Sequence, residues 1–176
     1  MEESEDLSRA TALWRAAYRY QMDGELDRAI EHYQRSVAIH PTAEAHTFLG
    51  WSLSFQGRLE EATAECLRAI EIDPDFGNPY NDIGVYLMQQ GKLDEALPLA
   101  REALEIDRTT LGADNPQLDR ARNTLALILM QKGDFEEAEK VFLEVLESSK
   151  RHLGEKHPQV ATTLENLGNV YFRLKQ

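Results

Sequence analysis

Four glycines divide this chain at nearly regular intervals, and that period limits the fold more than any composition figure does. Gly24, Gly57, Gly91 and Gly133 stand 33, 34 and 42 residues apart. Each follows a run of helical period and opens an acidic stretch that reaches alanine: GELDRAI, GRLEEAT, GKLDEAL and GDFEEAE. Aligned on them, the residue eight before is Ala16, Leu49, Ile83 or Leu125, and the next is always small: Ala17, Gly50, Gly84 or Ala126. Two after come Leu26, Leu59, Leu93 and Phe135, and five after Ala29, Ala62, Ala96 and Ala138. Nine and twelve after stand Tyr33, Cys66, Ala100 and Phe142, then Ser36, Ala69, Ala103 and Val145. Such i, i+3, i+4, i+7 spacing marks one face of a helix. Each unit therefore reads as two amphipathic helices joined at a glycine turn, packed as an antiparallel hairpin. Small residues at the crossings let the axes approach closely.

These units resemble tetratricopeptide repeats, two-helix units of 34 residues with small residues at the crossings and a proline after the second helix. Pro41 and Pro74 hold that last place in AIHP and EIDP, whereas the third unit has EIDR, so Arg108 lets its helix continue. The longer interval falls at this substitution. From LGADNPQL to LGEKHPQV, Leu111 to Leu153, the second half resembles the 42-residue repeats of kinesin light chains and of many bacterial repeat proteins. The extra eight residues amount to roughly two helical turns, assigned as one turn at the end of the preceding second helix and one at the start of the next first helix. Asn115 with Pro116, and His157 with Pro158, suit an N-cap followed by the first helical position.

The expected fold is all-α, a right-handed superhelical solenoid of antiparallel hairpins in one domain over 1–176. Its repeats span about 10–42, 43–76, 77–114 and 115–156, with a terminal half-repeat helix over 157–176. Helices are expected near 7–22, 25–39, 43–56, 59–72, 77–90, 93–110, 116–131, 135–152 and 158–174. Pro98 falls inside the sixth, where it removes one backbone bond and predicts a slight kink.

Composition then narrows the function. With 19 Lys and Arg against 31 Asp and Glu, the chain carries a formal charge of -12, which repels nucleic acid. The start MEESEDLSR has neither the basic nor the apolar segment of a secretion signal, and no run of eighteen apolar residues occurs. A cytoplasmic protein without a membrane partner is expected. Cys66 has no second cysteine to pair with and sits on a core face. The five histidines are scattered, GxGxxG, GxxxxGK[ST] and HExxH are absent, and pairs such as Glu136 and Glu137 read as first-turn acids that favour the helix dipole. No catalysis, cofactor or metal is expected.

The family resemblance implies a concave groove lined by first helices, at thirteen, ten, nine, six, three and two residues before each glycine. Among these positions are Trp14, Tyr18, Phe48, Trp51 and Phe55 in the first two units, then Asn78, Asn81, Asp82 and Met88, and later Asn123, Asn166 and Asn169. Both tryptophans fall there, off the packing positions of the repeat. Exposed aromatics on one face suit a binding surface; the alternative is that Trp14 and Trp51 pack on each other and on neighbouring helices as core. Asparagine amides at these places suit an extended peptide backbone, or are polar filler. Arg15, Arg120 and Arg173 balance Glu44, Asp82 and Glu165 in the groove, so the acidity reads as a solubility device.

One branch of the family clamps chaperone-tail carboxylates with lysines, asparagines and an arginine. Here Trp14 and Tyr18 replace the first lysine and asparagine, and Asn78 and Asp82 the later lysine and arginine, which disfavours that ligand. The expected function is a protein-interaction module that binds a partner's peptide segment through an apolar or aromatic anchor. A small acidic secretion-type chaperone and a regulatory fragment of a larger enzyme stay open as alternatives. The last helix is expected to leave an apolar stripe uncovered, as in a fragment of a longer protein; a monomer is expected, with a homodimer through that stripe as the alternative.

Overall fold

The computed structural model describes residues 2–176, with side chains from Ser4 onward. The described residues form nine helices and no strand: α1 (Glu2–Met22), α2 (Leu26–Ile39), α3 (Ala43–Phe55), α4 (Leu59–Ile72), α5 (Gly77–Gln89), α6 (Leu93–Leu111), α7 (Leu118–Lys132), α8 (Phe135–Leu153) and α9 (Pro158–Leu174). They gather into two compact units, residues up to Tyr86 and Leu87–Gln176, with the boundary inside α5.

The glycines close the hairpin turns for a backbone reason. At the end of α3 the Arg58 amide donates to the Leu53 carbonyl at 3.1 Å, and the Gly57 amide to that of Ser54 at 2.9 Å. This six-to-one closure needs a left-handed residue, and Gly57 supplies it at φ +75°. Gly133 does the same in the second unit, where the Asp134 amide reaches the Leu129 carbonyl at 2.9 Å.

In the first unit α1 pairs with α2 and α3 with α4. Ala17, Ala29, Ala62 and Ala69 are fully enclosed, as are Tyr33 and Cys66. Burial, with Asp82 nearby, pushes the Cys66 thiol up, which keeps it a protonated packing group. Gly50 marks a tight crossing: a Cβ there would lie 2.9 Å from the Ala62 carbonyl oxygen and 3.1 Å from Cys66 Sγ. Beside it His46 Nδ1 lies 2.7 Å from Glu65 Oε2, and Arg68 holds the other oxygen of Glu65, so this histidine is a buried structural partner.

In the second unit α7 packs on both α6 and α8, and α8 on α9, around Leu118, Ile128, Leu129, Phe142 and Val145. Helices α6 and α8 have 19 residues each, against 14 for α2 and α4, so the longer repeat does extend its second helix by more than a turn. The α6 helix runs unbroken through Pro98. At the other end the expectation is off by two residues, because α7 begins at Leu118 and not at 116. Asn115 Oδ1 accepts from the Gln117 amide at 2.9 Å, and the Leu118 and Asp119 amides donate to the carbonyls of Asn115 and Pro116, three residues back. That tight turn takes the place of the first helical turn. His157 instead caps α9 directly, with Nδ1 accepting from the Gln159 amide at 3.2 Å and Pro158 next in line.

Arg122 and Asp119 form an ion pair inside this unit, 8% and 4% exposed. Arg122 Nη1 donates to Asp119 Oδ1 at 3.1 Å and Nη2 to the Ala113 carbonyl at 3.2 Å. Its Nε stands 3.4 Å from Glu144 without hydrogen-bond geometry, and Ser149 Oγ lies 3.5 Å from the second Asp119 oxygen. Forty-two residues on, the same places hold Ala161 and Leu164. The pair ties the 112–117 connection to both helices of the hairpin.

Candidate functional site

Helical spacing brings the aromatic residues of the first unit onto facing stripes. Trp14 and Tyr18 are four apart on α1, and Phe48, Trp51 and Phe55 follow at i, i+3 and i+7 on α3. Their rings form a continuous ladder. Trp14 stacks on Tyr18 at 5.7 Å between centroids and meets Phe48 edge-on at 5.3 Å. Phe48 also meets Tyr18 at 5.8 Å and Trp51 at 5.9 Å, and Trp51 meets Phe55 at 5.3 Å. These separations lie in the favourable range for aromatic pairs.

The ladder has a fixed base and an open top. Below Phe48 at 6.1 Å is Tyr33 of α2, fully buried, whose hydroxyl donates to Gln21 Oε1 at 2.9 Å. Burial raises the Tyr33 hydroxyl far above its ordinary range, with Tyr18 and Glu44 adding to the shift. It is therefore a permanent donor. Toward solvent, Trp51 is 40% exposed and Phe55 58%, while Trp14 and Phe48 are half-buried. The two tryptophans join through Phe48 and not by direct stacking. Beside Trp14 opens a cleft of about 240 Å³ whose walls include Thr11, Arg15, His40 and Glu44.

The remaining expected site residues distribute differently. Asn78, Asn81 and Asp82 belong to the part of α5 in the first unit, and Asn78 and Asp82 are half-buried. Asn81 does not fit the expectation of a solvent-facing amide: it is 3% exposed, and Nδ2 lies 3.4 Å from Asp82 Oδ1 while its own Oδ1 is enclosed without a donor. Met88, Asn123, Asn166 and Asn169 lie in the second unit. Of these, Asn169 lines a wide cleft of about 710 Å³ with Met130, Gln131, Phe172 and Arg173, which joins the groove positions of α7 and α9. Gln21 sits at a groove position in the sequence, yet its amide is 8% exposed and serves Tyr33. The signal was Tyr33 itself, a phenol on a core stripe that needs a partner.

No group of three His, Cys, Asp or Glu among the described residues is arranged to hold a metal ion, and no described helix is long and apolar enough to cross a membrane. The sequence matches the tetratricopeptide repeat over residues 75–150 and again over 118–176, and in a second form of that repeat over 15–75. The chain belongs to the tetratricopeptide repeat family. Repeats of this family are protein–protein interaction scaffolds. Small glutamine-rich tetratricopeptide repeat-containing protein 2 of Mycosarcoma maydis is 27% identical over 105 residues, 58% of this chain and 30% of that protein. The TPR repeat-containing thioredoxin TTL4 of Arabidopsis thaliana is 28% identical over 97 residues, 54% of this chain and 13% of that protein. The chain thus spans less than a third of the curated relatives it matches.

Among solved structures, PilF of Pseudomonas aeruginosa superposes with a TM-score of 0.79 at 20% identity, covering 99% of this chain and 72% of that one. A putative kinesin light chain from Podosopora anserina, with nearly identical TPR-like repeats, gives 0.77 at 21% identity over 97% and 88% of the two chains. Likeness at this level is one of fold.

Proposed function

We propose that this tetratricopeptide chain is a non-catalytic docking module whose first unit holds a peptide segment of a partner protein through an apolar or aromatic anchor. The observation that carries the reading is the ladder, in which Trp51 stays open to solvent while packed on Phe48, a ring seated on buried Tyr33, and exposed Phe55 packs on Trp51 in turn. Rings so held lose little freedom when a partner covers them, so more of the burial appears as affinity. The cleft beside Trp14 continues the surface and offers polar side chains at its rim.

Peptides selected from a displayed random library on the wild-type protein are the test. Truncating an anchor of this kind costs about 2 kcal/mol, so Trp51→Ala weakens their binding by roughly tenfold or more while leaving helicity unchanged. A folded Trp51→Ala protein that binds them equally well moves the site off the ladder.

A further inference from the structure

The charge of the chain is not spread evenly over its two units. Residues 1–86 hold 16 of the 31 Asp and Glu but only 7 of the 19 Lys and Arg, a net −9, against −3 for residues 87–176. All seven cations are arginine, and five of them lie in ion pairs with acids of the same helix or turn: Arg9 with Asp6, Arg28 with Glu25, Arg35 with Glu31, Arg58 with Glu61 and Arg68 with Glu65. The acidity is therefore concentrated in the unit that carries the aromatic ladder, and most of its local cations already have carboxylates.

At the ladder itself one acid, Glu44, and one cation, Arg15, line the cleft beside Trp14, so the excess acid of the unit surrounds the ladder. Glu44 is exposed and lies four residues before Phe48, seven before Trp51 and eleven before Phe55, on the same stripe of α3. It is near enough to Tyr33 to raise that hydroxyl. At the far end of α1, Met22 is 65% exposed and is followed by exposed Asp23. The faces of Trp, Tyr and Phe rings attract cations, and this unit already makes one such contact, with the Arg28 guanidinium 5.4 Å from the centre of the Tyr20 ring.

Resting on the docking function above, we infer that the occupant of the ladder is a cationic apolar segment, with arginine or lysine flanking one apolar or aromatic anchor. The anchor covers Trp51 and Phe55, and a cation stacks on an open ring face. The net charge of the unit draws such a segment in and turns acidic ones away.

A displayed random peptide library separates the outcomes when selected on the wild-type protein with Trp51→Ala protein in excess as competitor. The variant has the same net charge, so peptides held by charge alone are removed. Enriched sequences with a clear excess of Arg and Lys, whose affinity falls at least tenfold between about 0.05 and 0.5 M salt, are the expected result. Enriched sequences that are neutral or acidic, or that bind independently of salt, overturn the cationic occupant and leave the docking function standing. No enrichment over the competitor overturns the docking function, and the occupant with it.

Discussion

Arg122→Leu lowers the unfolding free energy of the second unit by about 3 kcal/mol, the cost of leaving one member of a buried ion pair alone. Asp119 is 4% exposed, and beside its second oxygen stands Ser149 Oγ at a long 3.5 Å. The substitution also frees the Ala113 carbonyl and so loosens the 112–117 connection. The double change Asp119→Ala with Arg122→Leu recovers most of the loss, because it installs the pair that the next repeat carries, Ala161 and Leu164, and removes both charges together. Urea unfolding of the two variants, followed by helical signal, checks this. Equal destabilisation of single and double variants would mean that volume and not charge decides the site.

The second large effect is at Gly50. Replacing it with leucine drives a side chain into the Ala62 carbonyl and Cys66 Sγ, at 2.9 and 3.1 Å from the new Cβ. A backbone oxygen in the first turn of α4 cannot swing away as a side-chain end can. Overpacking of this kind costs about 3 kcal/mol, which outweighs the gain of about 1 kcal/mol in helix propensity. Gly168 occupies the same register in α9, and a Cβ there meets nothing within 4 Å. Gly168→Ala therefore raises stability by about 0.5–1 kcal/mol. Opposite signs at two glycines of one register, read from thermal melts, are the expected outcome; the same sign at both contradicts the crossing.

The difference between these two places explains what was legible in the sequence. Periodicity specified the hairpins because each glycine fixes a turn and each alanine a crossing, so helix ends followed to within one residue except at two starts: α1 begins at Glu2 and not near 7, ahead of the first repeat's own pattern, and α7 at Leu118. The α7 start escaped because Asn115 and Pro116 serve a tight turn as well as they serve a helix, and only the backbone bonds distinguish the two. Asp119 and Arg122 were invisible for another reason: apolar patterning treats charges as surface, and a charge is recognised as buried only when its partner is seen beside it. The ladder was legible as a cluster of aromatics out of register with the core, but its base was not. That Gln21 supports Tyr33, and that Asn81 is enclosed, depend on how helices meet in space. The acidity was legible as a total, and its concentration in one unit emerges only once the units are drawn.

The central claim is that the ladder of the first unit is the docking face, and the chain carries its own reporters, since its two tryptophans both stand in that ladder. Indole N–H resonances of Trp14 and Trp51, followed while a selected peptide is added to the isotopically labelled protein, test it most directly. The account predicts that both indoles, together with the amides of Phe48 and Phe55, shift to saturation at one equivalent of peptide while Leu125 and Phe142 hold still. Saturating shifts confined to the second unit, with both indole signals unmoved, would contradict it.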